Sequence, residues 1–184
     1  MKKVIIALAL ILGLAIGTSA QDYSVKRGYK GFIDFGYTLN VGLDGVVNKY
    51  SGYDSNKIDW ATTHGYQFNP YLFIGAGISL DCYTAKTWCT IPIFANVRVT
   101  PLVGNITPFI DVKGGYNFVG YMKGVYFAPS IGCRFGLTRK VGLNVGIGYA
   151  LQQNYANHYQ WDPLDKVKDE TLNHGLSFKF GFDF

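Results

Sequence analysis

The sequence predicts an all-β fold: an eight-stranded antiparallel transmembrane up-and-down β-barrel, placed after an N-terminal leader. Three observations predict it. Large apolar and small or polar side chains alternate with a period of two in eight separate stretches, which marks strands with two different environments. Aromatics are abundant, with 14 Tyr, 13 Phe and 3 Trp in 184 residues, while only 16% of residues are charged, against roughly 25% in soluble domains. Glycine, at 23 residues, gathers on the faces that lack the large apolar groups. This composition excludes intrinsic disorder, which lacks aromatics, and disfavours a helical bundle.

The leader comes first. Lys2 and Lys3 precede an uncharged run from Val4 to Gly17, and Thr18-Ser19-Ala20 offers small residues for cleavage before Gln21. That is the pattern of a secretory signal peptide. As a helix the apolar run would span only about 21 Å, short for a bilayer core. The expected organisation is a signal peptide over residues 1–20 and one barrel domain over residues 21–184. Without Lys2 and Lys3 the chain keeps 15 basic against 12 acidic residues, an excess too small and dispersed for nucleic acid. No later run approaches 18 consecutive apolar residues, so no membrane-spanning helix is expected.

The strands follow in order. The first sets Ile33, Phe35, Tyr37, Leu39 and Val41 against Asp34, Gly36, Thr38 and Asn40. The second sets Ile58, Trp60, Tyr66 and Phe68 against Asp59, Ala61, Thr63, Gly65 and Gln67. After the turn Asn69-Pro70, the third sets Leu72, Ile74, Ala76, Ile78 and Leu80 against Phe73, Gly75, Gly77 and Ser79. The fourth sets Ile91, Ile93, Ala95, Val97 and Val99 against Phe94, Asn96, Arg98 and Thr100. The fifth sets Ile110, Val112 and Tyr116 against Asp111, Lys113 and Gly115. The sixth sets Phe127, Ile131, Cys133 and Phe135 against Ala128, Ser130, Gly132 and Arg134. The seventh sets Leu143, Val145, Ile147 and Tyr149 against Asn144 and three glycines. The eighth sets Leu176, Phe178, Phe180, Phe182 and Phe184 against Ser177, Lys179, Gly181 and Asp183.

Which face points outward decides between a soluble sandwich and a membrane barrel. Glycine weakens a solvated strand surface but suits a narrow interior where backbones crowd. The stretches run about 9 to 12 residues, the length that crosses a bilayer at a tilt. Short connections at Asn69-Pro70, Pro101–Ile106 and Thr138–Lys140 alternate with mostly longer ones at Leu43–Asn56, Asp81–Cys89, Phe118–Lys123 and Gln152–Thr171. In bacterial outer-membrane barrels short turns face the periplasm and long loops face outside.

At the C-terminus, Leu176, Phe178, Phe180, Phe182 and Phe184 resemble the signal read by the outer-membrane barrel-assembly machinery. The stretch His64 to Leu72 resembles a strand-turn-strand of small outer-membrane β-barrel domain proteins of the OmpA/OmpX-like superfamily. The resemblance covers residues 28–184. It implies the bacterial outer membrane as location, outer-membrane lipid and lipopolysaccharide as surroundings, and the assembly machinery as a partner during biogenesis. It implies no single activity, since such proteins include adhesins, structural proteins, small-molecule pores and lipid-modifying enzymes.

The candidate site is the interior. Asp34, Asp59, Asp111 and Asp183 share the inward phase with Arg98, Lys113, Arg134 and Lys179. Paired carboxylates can serve acid–base chemistry, but buried charges need partners and an eight-stranded barrel is only wide enough for side chains to fill it. The expectation is therefore an ion-pair layer of Asp34, Arg98, Asp111, Lys113, Arg134 and Lys179, with Asp34 paired to Lys179 and Asp111 to Arg98 or Arg134. Cys82 and Cys89 share a side-chain phase near one hairpin tip, where a disulfide or two reduced thiols are both open readings. Cys133 points outward as a small hydrophobe. His64, His158 and His174 lack a neighbouring Ser and acid in a usable arrangement, so no enzyme site is expected, and no motif calls for a cofactor or metal. The last long connection carries Tyr155, His158, Tyr159 and Trp161, an aromatic and amide-rich surface suited to recognition of a ligand the sequence does not name. A plugged structural or surface-interaction barrel is the expected function, with a narrow porin-like channel, then a lipid A-modifying enzyme, as alternatives.

Overall fold

The computed structural model describes residues 27–44, 56–84, 88–104, 106–118, 123–138, 141–159 and 166–184, without the side chains of 42–44, 88 and 154–171. The described residues form nine strands: β1 (Gly28–Asp44), β2 (Lys57–Asn69), β3 (Leu72–Tyr83), β4 (Trp88–Thr90), β5 (Pro92–Val99), β6 (Ile106–Asn117), β7 (Gly124–Gly136), β8 (Gly142–Tyr159) and β9 (Lys166–Asp183). Every pairing is antiparallel, in the order β2-β1-β9-β8-β7-β6-β5-β3, and a further β2–β3 pairing closes the ring. Closure leaves no sheet edge along the wall.

The ninth strand is an interruption rather than an extra wall. β4 pairs Cys82 with Cys89, and β5 pairs Ile78 with Ile93, along β3 in one continuous register. The break falls at Ile91-Pro92, because proline has no N–H to give to a ladder. The Ile91 N–H donates instead to Asn117 Oδ1 at 3.0 Å. The strand expected from Ile91 is β5, and the short β4 ahead of it occupies residues expected to belong to the connection at Asp81–Cys89 or to follow it directly.

The last hairpin also departs from expectation. Residues 152–171 are strand for most of their length: β8 and β9 stay paired from Asn154↔Thr171 to Tyr159↔Lys166. There they run on past the described residues of β1 and β7 as a two-stranded arm. At about 3.4 Å per residue the arm is some 20 Å long. Amide- and aromatic-rich sequence reads as loop, yet Tyr, Val and Thr also suit a paired strand.

The alternation sorts the side chains inside out relative to a soluble domain. Ile93, Ile110 and Ile131 are 52%, 51% and 50% exposed, whereas Asp111 is 1% and Asp81 and Asp183 are 0% exposed. A continuous outward apolar surface with a charged interior is stable only where the surroundings are apolar. No helix among the described residues is long and apolar enough to cross a membrane; the crossing elements are strands.

Candidate functional site

The interior is built on inward phase plus room left by glycine. Gly36 faces Lys179 on β9 and Asp59 on β2, and a Cβ at Gly36 would strike the Asp59 carboxylate. At Gly142 a Cβ would sit 2.5 Å from Arg134 Nε and from Asp183 Oδ1. Glycine thus makes space for the charges inside a wall that has none to spare.

At the end bearing the short turns, seven side chains from six strands form one connected network. Asn96 Nδ2 donates to Asp111 Oδ1 at 2.8 Å, and Arg98 Nε donates to the same oxygen at 3.0 Å. Arg98 Nη1 reaches across to Asn144 Oδ1 at 3.2 Å, and Asn144 Nδ2 donates to Asp183 Oδ1 at 2.9 Å. Asp183 also takes Arg134 Nε at 2.8 Å and Lys30 Nζ at 3.1 Å. The Arg98 guanidinium lies between two rings, 4.0 Å from the Phe32 centroid and 4.2 Å from that of Phe109. Stacking of this kind suits a planar, weakly hydrated cation.

Further up, Lys113 Nζ donates to Asp34 Oδ2 at 2.7 Å. These residues stand on β6 and β1, opposite walls of the ring, so this bond spans the lumen. The expected Asp34–Lys179 pair does not form. Lys179 lies opposite Gly36, two residues out of step with Asp34, and its Nζ points to Ser130 Oγ at 3.4 Å. Neighbouring-strand logic missed Lys113 because in a narrow barrel the far wall is as near as the next strand. Towards the long-connection end, Lys57 Nζ meets Asp81 Oδ2 at 2.6 Å, and Ser79 Oγ donates to the other Asp81 oxygen.

Sequence reading missed Lys30, Lys57 and Asp81. All three lie in inward phase, with Phe32, Asp59 and Ser79 respectively, but at strand ends they resemble turn residues. Small cavities, each with room for about one water molecule, remain between the charges. One is bounded by Asp34, Arg98, Asp111, Ser130 and Lys179, and another by Lys30, Gln67, Arg98, Thr107 and Arg134. Among the described residues no cluster of three or more His, Cys, Asp and Glu could hold a metal.

The remaining candidates lie elsewhere. Cys82 and Cys89 face each other across β3 and β4 with Cα atoms 4.1 Å apart and are joined by a disulfide. Cys133 is free and half-buried. Of the C-terminal row, Phe178, Phe180, Phe182 and Phe184 are exposed on the outer wall and Leu176 is half-buried. Phe184 is bonded to β1 by Gly31 N–H to Phe184 O at 2.9 Å and Phe184 N–H to Gly31 O at 3.0 Å. A Cβ at Gly31 would lie 2.6 Å from the Phe184 ring, so glycine provides the slot in which the terminal ring rests. His64 and His174 contact tyrosine hydroxyls, of Tyr29 and Tyr149. Tyr155, His158 and Tyr159 stand on the arm, where only the backbone is described, and Trp161 lies outside the described residues. So does the leader, residues 1–20.

No family model matches the chain, and no curated protein matches it. Solved structures do. The chain is similar to the outer membrane protein OprG from Pseudomonas aeruginosa at 12% identity and a TM-score of 0.57, covering 89% of this chain and 99% of that one. It is also similar to Neisserial surface protein A, at 10% identity and a TM-score of 0.53, covering 85% of this chain and 97% of that one. At such identities the likeness is one of fold, and its meaning is architectural: this chain is folded as the small eight-stranded outer-membrane β-barrels are.

Proposed function

We propose that the chain is an integral protein of the bacterial outer membrane, exported by the leader at residues 1–20. In this reading its lumen is closed, and it works as a structural or surface-interaction barrel through its long-connection end, without catalysis. The observation that carries the closed lumen is the network from Asn96 through Asp111, Arg98, Asn144 and Asp183 to Arg134 and Lys30. Together with the Lys113–Asp34 bond, it ties opposite walls together. A permeating ion would have to displace paired charges, and a buried pair deprived of one partner is costly. The arm of β8 and β9 supports the surface role, since it carries Tyr155, His158 and Tyr159 beyond the wall.

Planar-bilayer recording tests closure. The wild-type barrel should give no resolved single-channel steps. Sustained steps would overturn the closed lumen and favour the narrow channel, for which the water-sized cavities beside Lys179 and Lys30 would be the starting path. An epitope inserted within residues 160–165 should be labelled on intact cells; labelling only after permeabilisation would overturn the orientation.

A further inference from the structure

One group of polar side chains stands on the outer wall, among residues that face lipid in the membrane reading on which this inference rests. His64 Nδ1 lies 2.6 Å from Tyr29 Oη, and His64 Nε2 lies 2.9 Å from Thr62 Oγ1. Tyr29 is 66% exposed, and His64 is exposed as well. On β2 this polar stretch is flanked by Ile58 and Trp60 on one side and Tyr66 and Phe68 on the other, all exposed.

The protons of this trio do not balance. A neutral imidazole carries one N–H, and each hydroxyl carries one O–H, which makes three donors. The two contacts consume two. If Tyr29 donates to Nδ1, then Nε2–H donates to Thr62 and the Thr62 proton is left over. In the other tautomer the Tyr29 proton is left over. Either way one hydroxyl proton is left without an acceptor inside the trio. In hydrocarbon a donor without an acceptor is costly, and an ionisable side chain in a membrane wall marks a functional site by default.

A shallow furrow leads away from the trio. In the strand registers His64 is level with Ala76, Ala76 with Ala95, Ala95 with Gly114, and Gly114 with Phe127. The rows on either side are large, with Ile78, Ile93 and Tyr116 along one bank and Ile74, Val97 and Val112 along the other. From His64 to Gly114 is three strand spacings, about 14 Å. Because strands tilt by roughly 35–45°, the furrow climbs about 8–10 Å from the short-turn end towards mid-membrane.

We propose that the trio and furrow bind one glycerophospholipid of the periplasmic leaflet. A phosphate or ester oxygen accepts the spare hydroxyl proton of Tyr29 or Thr62. One acyl chain lies over Ala76, Ala95 and Gly114 and ends against Phe127. The direction of the furrow fits that leaflet, since the polar end is nearer the short turns and the apolar end points to the membrane centre.

The test uses the full barrel reconstituted in vesicles of phosphatidylethanolamine and phosphatidylglycerol, re-extracted in mild detergent and weighed by native mass spectrometry. One phospholipid should remain on each wild-type barrel. Tyr29→Phe combined with Thr62→Val, which removes both hydroxyl donors, should lower retention about tenfold, the equivalent of about 1.4 kcal/mol. Ala95→Phe, which fills the furrow without touching the trio, should do likewise. Inorganic phosphate should not displace the lipid. Wild type without retained lipid, wild-type retention in either variant, or displacement by phosphate would each overturn the site. Heat-modifiable gel migration is followed throughout. Its loss in wild type would overturn the barrel reading instead, whereas its persistence without lipid retention condemns the site alone.

Discussion

The bond between Lys113 and Asp34 offers the sharpest test of how the interior is held. Its partners lie on opposite walls, 2.7 Å apart, with side chains 3% and 7% exposed. Among the described residues the interior holds six cations (Lys30, Lys57, Arg98, Lys113, Arg134 and Lys179) against five carboxylates (Asp34, Asp59, Asp81, Asp111 and Asp183). Asp34→Asn therefore widens an existing imbalance and strands Lys113 beside Lys179. Removing one partner of a buried pair costs about 3–5 kcal/mol, and that is the expected loss. Lys113→Met balances the count and leaves Asp34 within a side chain's swing of Lys179, two residues out of step on the adjoining strand. Its loss should be that of one charge-assisted hydrogen bond, about 1.5–3 kcal/mol. The double variant should cost less than the sum of the singles by at least about 1 kcal/mol. Reversible urea unfolding in phospholipid vesicles, followed by tryptophan fluorescence, measures all three. Equal losses for the two singles, or strict additivity, would refute the reasoning.

Further outcomes follow from the inside–outside assignment and from the ends of the strands. Ile93→Arg and Val145→Arg, each on the exposed outer face, should cost about 2–4 kcal/mol in the same unfolding assay if they lie near mid-membrane. Gly148→Arg should yield no heat-modifiable band, since even a Cβ there lies 2.6 Å from Ser130 Cβ; a normal band would reverse the assignment. Gly31→Val should displace the Phe184 ring and lower the outer-membrane level as much as deleting Phe184, which quantitative blotting of membrane fractions would show. Opening the Cys82–Cys89 bridge, with seven residues of sequence separation, should cost about 2–3 kcal/mol, read as a shift of the urea midpoint in reductant.

Much of the architecture was legible in the residues themselves. A period of two is a local property, so Ile93 against Phe94 or Val145 against Asn144 already assigns inside and outside, strand by strand. The glycines on the inward phase announced a narrow interior, and Pro92 alone explains the break that divides β4 from β5. Local pattern also misled: the Gln152–Thr171 stretch lacks a clean alternation, so its pairing into an arm was hidden. The inward phase of Lys30, Lys57 and Asp81 was present but masked by their place at strand ends. What the sequence could not contain was partnership across the lumen. Lys113 and Asp34 are 79 residues apart and on strands that never touch. Only the closure of eight tilted strands, with the stagger that closure demands, sets which rungs share a height. That is why Asp34 meets Lys113 from the far wall rather than Lys179 from the strand beside it, and why His64, Ala76, Ala95 and Gly114, scattered along four strands, come to lie in one row.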